Sequence, residues 1–303
     1  MWARGLFKII YLIEVMVEAQ SDPKPCQYPN PPRLHRRKRV TIIAGFQCTD
    51  GILMCSDTEQ FISPESKSQV GKIPVVQLAH FTAAIGGAGD GALIEYLTQD
   101  LCKHLVHWPR DWDALESGLN DYGRKAFTKH IRAYAGFPSV DIPTVSFLIA
   151  VTMNEDARLF RWERNFVHAV PKWQHTSIGV GTLQSEQLLS EMQFAYPSQQ
   201  MFFFAVRMMQ KVKQIVQGCG GKTEVVFLPS TGNSFTRPGT FITDEIEHMA
   251  GIVDDFLTNH ILSFIANTEK MDQQTVDAKL DLLRKGIMNL REKNRTLKPG
   301  IWS

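Results

Sequence analysis

Cysteine is scarce in this chain of 303 residues. Five are present, at positions 26, 48, 55, 102 and 219. An odd number, wide spacing and apolar surroundings are not the pattern of a disulfide framework or of a zinc site. We therefore expect buried free thiols, no bound metal and a reducing compartment, which favours the cytoplasm.

Long uncharged apolar runs are also missing. Past the first 20 residues, no segment approaches the roughly 18 apolar residues that a membrane-spanning helix needs. The first 20 residues place Arg4 and Lys8 before an apolar stretch, as a signal peptide does. Glu14 interrupts that stretch, however, and no small-x-small cleavage site follows it. We expect no membrane partner, with secretion as the alternative.

No strong excess of charge of either sign is present. The chain has 33 Lys and Arg residues against 31 Asp and Glu residues. Residues 1–40 hold 8 of the basic and 3 of the acidic residues, so the remainder has 25 against 28 and is slightly acidic. This balance gives no reason to expect nucleic acid as a partner.

Composition divides the chain near residue 40. Residues 21–40 contain five prolines and end in the basic run RLHRRKR at 33–39. Such a segment resists packing and is typical of an extended leader or linker, so we assign residues 1–39 to a leader. The basic run also fits a nuclear address, a protease site or a docking tail, but a solvated tail is the simplest interpretation.

Strands and helices can be predicted from the apolar patterns of the remaining chain. Two apolar runs flank Asp50-Gly51 and predict a β-hairpin. A strand at 81–85 then leads through a predicted glycine-rich turn at 86–91 into a helix. Further strands are predicted at 145–153, 158–162, 166–170 and 223–228, and further helices at 112–134, 182–192 and 201–216. Thr243 is predicted to cap a helix whose apolar stripe extends to His260 and Phe264, and a last helix carries Val276 and Leu280.

Grouped strands and helix pairs favour an α+β layered sandwich over a doubly wound parallel sheet, in which strands and helices would alternate. We expect helices on both outer faces of stacked sheets. Glycines at 87, 89 and 91 lack the spacing of a phosphate-binding loop. His104 and His107 lie three residues apart on a predicted helix, but no zinc motif accompanies them. We expect surface histidines and no cofactor.

A series of polar and glycine residues occurs in a distinctive order. Thr41 begins a strand, Gly45 follows, Asp57 comes 16 residues after Thr41, Lys72 precedes an apolar residue, and Gly86-Gly87-Ala88-Gly89-Asp90 precedes a helix. This order resembles proteasome β-type subunits and the related bacterial heat-shock peptidase, which are N-terminal nucleophile hydrolases. The resemblance covers residues 40–230 in element order and 41–90 in motifs.

The resemblance implies a fold and an assembly. The fold is a four-layer αββα sandwich over residues 40–235, with a C-terminal helical extension at 236–303. The assembly is a ring or another homo-oligomer of like subunits. The implied activity is that of a threonine-type endopeptidase acting on peptides or proteins.

The implied site has Thr41 as nucleophile. A free N-terminal threonine supplies both a hydroxyl and an α-amine that can take its proton. Lys72 would lower the pKa of both groups, and Asp57 would keep Lys72 charged and oriented. Backbone N–H groups of Gly86, with Gly87, would form the oxyanion hole. Taken singly, Thr41 fits an ordinary strand residue, Asp57 a turn cap and Lys72 a surface side chain.

Three departures from the family pattern support other functions. Thr41 follows Val40, where self-cleaving members carry glycine, and needs removal of residues 1–40. Val180 lies between two glycines where the family has serine, and Cys219 lies in a segment, 216–221, where the family has aspartate and serine. A non-catalytic structural subunit or scaffold is therefore the alternative. Hydrolysis of a small-molecule amide by the same nucleophile is a third.

Overall fold

The structure is a computed structural model, and it describes residues 38–39, 41–63, 66–78, 80–134, 142–190, 195–256 and 271–296. The predicted leader, apart from Lys38–Arg39, lies outside the described residues, as do Cys26, His260 and Phe264. The four described cysteines, Cys48, Cys55, Cys102 and Cys219, are free thiols. None of the described helices is long and apolar enough to cross a membrane.

Twelve strands are described. They are β1 Lys38–Arg39, β2 Ile42–Cys48, β3 Gly51–Asp57, β4 Glu59–Ser63, β5 Ser66–Gln69, β6 Val75–Gln77, β7 Phe81–Asp90, β8 Val145–Met153, β9 Asp156–Glu163, β10 Phe166–Ala169, β11 His175–Gly179 and β12 Thr223–Pro229. The described helices are α1 Gly91–Leu105, α2 Trp112–His130, α3 Thr182–Leu189, α4 Ser198–Ile215, α5 Thr240–Phe256 and α6 Gln273–Thr296, with a 3-10 turn at Arg132–Tyr134.

The strands form two main sheets in which every pairing is antiparallel. The first has the order β1-β7-β8-β9-β10, with β6 also paired to β7. The second has the order β11-β2-β3-β12, and β4 and β5 form a separate ribbon. A mixed α+β fold with grouped strands is therefore confirmed, and no parallel pairing occurs among the described strands.

The hairpin β2–β3 gives the second sheet its centre. Cys48 pairs with Gly51, so Thr49 and Asp50 form a two-residue loop. Gly51 has φ 154°, and a Cβ there would lie 2.1 Å from the carbonyl oxygen of Leu228. Only glycine fits this approach of backbone to backbone. The predicted hairpin is confirmed, with its loop one residue earlier than the sequence pattern indicated.

Three hydrophobic clusters account for most of the core. One joins Ile43 and Met54 of the second sheet to Leu148 and Leu159 of the first. A second packs leucines of α1 and α2 against aromatic side chains of β8 and β9. The third packs α4 against the second sheet and includes Ile42. Ile42 and Ile43 enter different clusters because successive residues of a strand face opposite sides of the sheet.

The glycine-rich segment differs from its prediction. It is part of β7, which continues to Asp90, and Asp90 then caps α1 by accepting the Leu93 N–H at 3.1 Å. A Cβ on Gly86 would lie 2.8 Å from Ile43 Cγ2. One on Gly87 would lie 2.5 Å from Ile94 Cγ2. These glycines therefore allow the other sheet and α1 to pack closely on β7, and the predicted turn was wrong.

The predicted cap of α5 was also wrong. The helix begins at Thr240, three residues before Thr243. Thr243 is fully buried, and its hydroxyl lies 2.9 Å from the carbonyl oxygens of both Thr223 and Thr240. Its side chain joins α5 to β12 instead of capping the helix.

Candidate active site

Thr41 lies immediately before β2, and its backbone is held by the loop that follows β11. The Val180 N–H donates to the Thr41 carbonyl oxygen at 3.0 Å. Gly179 has φ 103°, and a Cβ there would lie 2.0 Å from the same oxygen. The predicted Gly179-Val180-Gly181 element therefore meets Thr41 through backbone, although its central side chain has no hydroxyl.

Asp57 ends β3, and the hairpin brings it beside the start of β2. Ile43 pairs with Ser56 across the hairpin, so the next step of the register places Ile42 opposite Asp57. Asp57 Oδ1 accepts from the Thr41 hydroxyl at 2.5 Å and from the Ile42 N–H at 3.1 Å. Its Oδ2 accepts from the Gly220 N–H at 3.2 Å. A threonine that opens one strand and an aspartate that closes the next thus share one end of the sheet.

Lys72 reaches the same point from the segment before β6. Its Nζ lies 2.7 Å from Thr41 Oγ1 and 2.9 Å from Asp57 Oδ1. Thr41 and Asp57 are 0% exposed and Lys72 is 5% exposed. We call these three side chains the Thr41 cluster. The structure thus brings together the three residues that the sequence predicted as catalytic.

The Thr41 cluster is electrostatically compensated. Isolated buried charges are costly, but this ammonium and carboxylate are paired and also hydrogen-bonded to their surroundings. The Thr41 hydroxyl donates to Asp57 and accepts from Lys72. An ammonium that donates to a hydroxyl oxygen stabilises negative charge on that oxygen. The arrangement is suited to activating a hydroxyl.

Gly86 and Gly87 present their N–H groups to opposite edges of β7. The Asp90 N–H donates to Thr144 on the β8 side, whereas the Ile85 N–H donates to Pro74 on the β6 side. N–H directions alternate along a strand, and the β7–β8 register is continuous from 81 to 89. The Gly86 N–H therefore faces β8, and the Gly87 N–H faces the edge from which Lys72 approaches.

Cys219 lies near the Thr41 cluster but is not a reactive thiol. Burial, together with the negative charge of Asp57, raises the pKa of Cys219 to about 12, although Lys72 acts in the opposite direction. The thiol is therefore protonated near neutral pH, and the thiolate is the nucleophilic form. Neither Cys219 nor Val180 supplies the hydroxyl that the family pattern has at these positions.

Sequence reasoning missed Glu224, a buried carboxylate on β12. Its Oε2 accepts from the backbone N–H of Lys72 at 2.6 Å and of Ile73 at 3.3 Å. The only sequence signal was a carboxylate inside an apolar strand, 152 residues from Lys72. No sequence pattern pointed to its partner Arg237, whose Nη1 lies 3.0 Å from Glu224 Oε1.

The two histidines that the sequence raised lie at the end of α1. His104 is in the last turn of the helix, and its Nδ1 lies 2.8 Å from the carbonyl oxygen of Asp100. His107 follows the helix and donates its backbone N–H to His104. Among the described residues, no group of three or more potential ligands could hold a metal ion.

No family model and no curated protein matches this sequence. Several solved structures do match its fold. Anbu (ancestral beta-subunit) from Yersinia bercovieri matches with a TM-score of 0.57 and 15% identity, over 72% of this chain and 97% of that chain. An Anbu (Gly-1) mutant from Hyphomicrobium sp. strain MC1 matches with a TM-score of 0.59 and 11% identity, over 77% of this chain and 98% of that chain. Anbu from Pseudomonas aeruginosa, solved as a helical assembly, matches with a TM-score of 0.58 and 13% identity, over 72% of this chain and 96% of that chain.

At such low identities it is the fold that is shared, because one fold can serve many functions. Each match spans nearly all of the Anbu chain, so the likeness is not confined to one motif. This chain therefore has the fold of Anbu, the ancestral β-subunit, which is the proteasome-like N-terminal nucleophile hydrolase fold that its sequence resembles.

Proposed function

We propose that this chain is a threonine-type hydrolase, an endopeptidase whose nucleophile is Thr41 after residues 1–40 are removed. One observation carries the proposal. The Thr41 hydroxyl lies within 2.5–2.7 Å of both Asp57 and Lys72, in a buried cluster assembled from three separate segments. A hydroxyl between an ammonium and a carboxylate is arranged for nucleophilic attack.

Each residue has a role in the proposed reaction. The free α-amine of Thr41 takes the hydroxyl proton as Oγ1 attacks the peptide carbonyl carbon. The peptide C–N bond then breaks, the leaving amine receives that proton from the α-ammonium, and water hydrolyses the ester of the acyl-enzyme. Lys72 stabilises the attacking oxygen, and Asp57 orients Lys72. The Gly87 N–H, which faces the edge of β7 on the Lys72 side, is the oxyanion donor in this proposal, whereas the Gly86 N–H faces β8 and is not available for the role. One such donor is typically worth about 2.7–4 kcal/mol of barrier.

The same proposal extends to architecture and assembly. The three hydrophobic clusters support a four-layer αββα sandwich over residues 40–235, followed by the helical extension 236–303. The helical assembly of the Pseudomonas aeruginosa Anbu complex supports an oligomer of like subunits. Free cysteines support a reducing compartment such as the cytoplasm.

The test compares peptide hydrolysis by the wild-type chain, Thr41→Ala and Thr152→Ala. Thr152 is also 0% exposed but lies in β8 of the other sheet. Thr41→Ala should fold and assemble yet lose all hydrolysis, whereas Thr152→Ala should retain it. Hydrolysis by Thr41→Ala would eliminate the proposal.

A non-catalytic structural subunit or scaffold is the second candidate, and one observation favours it. β1 pairs with β7, with Arg39 opposite Gly89 and Lys38 opposite Asp90, so residues 38–39 occupy the same edge of β7 that the Gly87 N–H faces. Thr41 itself is fully buried. If this candidate is right, the chain should assemble with residues 1–40 attached. Its Thr41 should not react with a threonine-directed electrophile.

A further inference from the structure

The position of Lys72 is fixed through its backbone by a carboxylate on another element. Glu224 lies on β12 opposite Ser56 of β3, and its side chain is 7% exposed. Oε2 accepts from two successive peptide N–H groups, those of Lys72 and Ile73, at 2.6 and 3.3 Å. It also accepts from the Ser56 hydroxyl at 3.2 Å.

Arg237 completes this anchor. Its Nη1 lies 3.0 Å from Glu224 Oε1, and its Nη2 donates to the Ile73 carbonyl oxygen at 2.6 Å. The carboxylate and the guanidinium therefore hold both peptide groups of Ile73. A Cβ on the preceding Gly71 would lie 3.1 Å from Glu224 Oε1, which shows how closely the backbone approaches the carboxylate.

We infer that Glu224, held by Arg237, is a positioning residue that places the Lys72 ammonium against Thr41 Oγ1. The segment before β6 carries Lys72 outside any strand, so no sheet ladder fixes its backbone. Two hydrogen bonds to one buried, charged oxygen supply that constraint, and charge-assisted bonds are stronger than neutral ones. Neither Glu224 nor Arg237 lies within the Thr41 cluster. The catalytic consequence rests on the proposed function, whereas the placement of Lys72 does not.

A role in placement differs from a role in stability alone. Breaking a remote ion pair lowers stability without moving Nζ. Losing Glu224 frees the two N–H groups that flank the Lys72 Cα. The backbone there can then move, and the Lys72 side chain moves with it. A displacement of about 1 Å at a reacting group can cost about 100-fold in rate.

The experiment measures two rates on the same folded proteins by mass spectrometry. The first is acetylation of Lys72 by acetic anhydride, and the second is labelling of Thr41 by a threonine-directed epoxyketone in chains that begin at Thr41. In the Glu224→Ala variant, acetic anhydride should acetylate Lys72 faster than in wild type. The epoxyketone should label Thr41 about 100-fold more slowly. Glu224→Gln keeps an oxygen that can accept from the Lys72 N–H, so its labelling should fall only about fivefold, the equivalent of one neutral hydrogen bond. Adding Glu224→Ala to Lys72→Ala should slow labelling no further.

The matched control is Asp254→Asn. Asp254 is another largely buried carboxylate, paired with Arg207 at 2.6 Å and Lys211 at 2.8 Å between α4 and α5. The Asp254→Asn substitution should leave both the acetylation rate and the labelling rate at their wild-type values. Unchanged Lys72 acetylation in Glu224→Ala would overturn the inference, and so would unchanged Thr41 labelling. If wild-type Thr41 does not react at all but Glu224→Ala still exposes Lys72, the placement stands and the proposed function fails.

Discussion

At the scale of single residues, the hairpin register explains why polar groups stand in segments built for burial. Thr41 and Asp57 lie at the two ends of β2–β3 that the Thr49–Asp50 loop brings side by side. The resemblance to the proteasome family, which rests on the order and spacing of these residues, was enough to name Thr41, Asp57 and Lys72 together. It could not find Glu224 or Arg237, because their contacts with the Lys72 segment are made across more than 150 residues and have no local pattern.

Asp57→Ala should strongly destabilise the protein. The substitution leaves the Lys72 ammonium buried without its counter-charge, and breaking a buried pair in this way costs about 3–5 kcal/mol. Denaturant unfolding at neutral pH measures the loss. The control is Asp156→Ala, whose partners Arg158 and Lys172 are 31% and 62% exposed. The free energy of unfolding of that variant should fall by about 0.5 kcal/mol, because an exposed ion pair contributes about that much. Equal losses in the two variants would contradict the account.

At the scale of elements, apolar periodicity predicted most strands and helices that the structure describes. The errors have physical causes. Gly86 and Gly87 suggest a turn by local propensity, but packing against Ile43 and Ile94 requires glycine within a strand. The ribbon β4–β5, Glu59–Ser63 with Ser66–Gln69, was missed because its sequence is mostly polar and has no alternation of apolar residues.

Gly51→Ala should cost more stability than Gly232→Ala. Both glycines have positive φ, 154° and 84°, so both substitutions strain the backbone. A Cβ on Gly51 also meets the Leu228 carbonyl oxygen at 2.1 Å, whereas one on Gly232 meets nothing within 4 Å. We expect about 1 kcal/mol of loss at Gly232 and about 3 kcal/mol at Gly51 in denaturant unfolding. A larger loss at Gly232 would be inconsistent with the hairpin geometry.

The contact between α4 and α5 should weaken in acid. Burial alone would raise the pKa of Asp254, but hydrogen bonds and charges from Lys211 and Arg207 outweigh it and lower the pKa. A carboxylate with a lowered pKa in the folded state stabilises the protein above the pKa of the unfolded chain and loses that contribution as pH falls through the folded value. Asp254→Asn should therefore be less stable than wild type by about 0.5–1 kcal/mol at pH 7 and nearly equal to it well below pH 3.8. Chemical unfolding across this range tests the sign, and a gap that widens in acid would refute it.

At the scale of the whole molecule, the chain has the fold of Anbu, and its proposed nucleophile, Thr41, follows 40 other residues in the sequence. Apolar side chains also remain exposed around α3. Leu183 is 72% exposed and Val180, just before the helix, is 50% exposed. Exposed apolar residues of this kind often mark surfaces where proteins associate. This surface fits contact with a second copy of the chain, in line with the proposed assembly.

Leu183→Glu should reduce the size of that assembly without unfolding the subunit. The new carboxylate would be desolvated in an apolar contact between copies, whereas in a single copy it stays in water. The control is Ser117→Glu, which places the same charge on an exposed position of α2, a helix that packs against the other sheet. Light scattering and circular dichroism measure size and folding. Identical assembly of Leu183→Glu and wild type would exclude this surface.

The central claim is that Thr41 becomes an N-terminal nucleophile. The most direct measurement is the intact mass and terminal sequence of the purified native protein, before and after exposure to a threonine-directed epoxyketone. The account predicts a chain that begins at Thr41 and gains one adduct there. A chain that retains Val40 and the basic run 33–39, with no adduct, would contradict it.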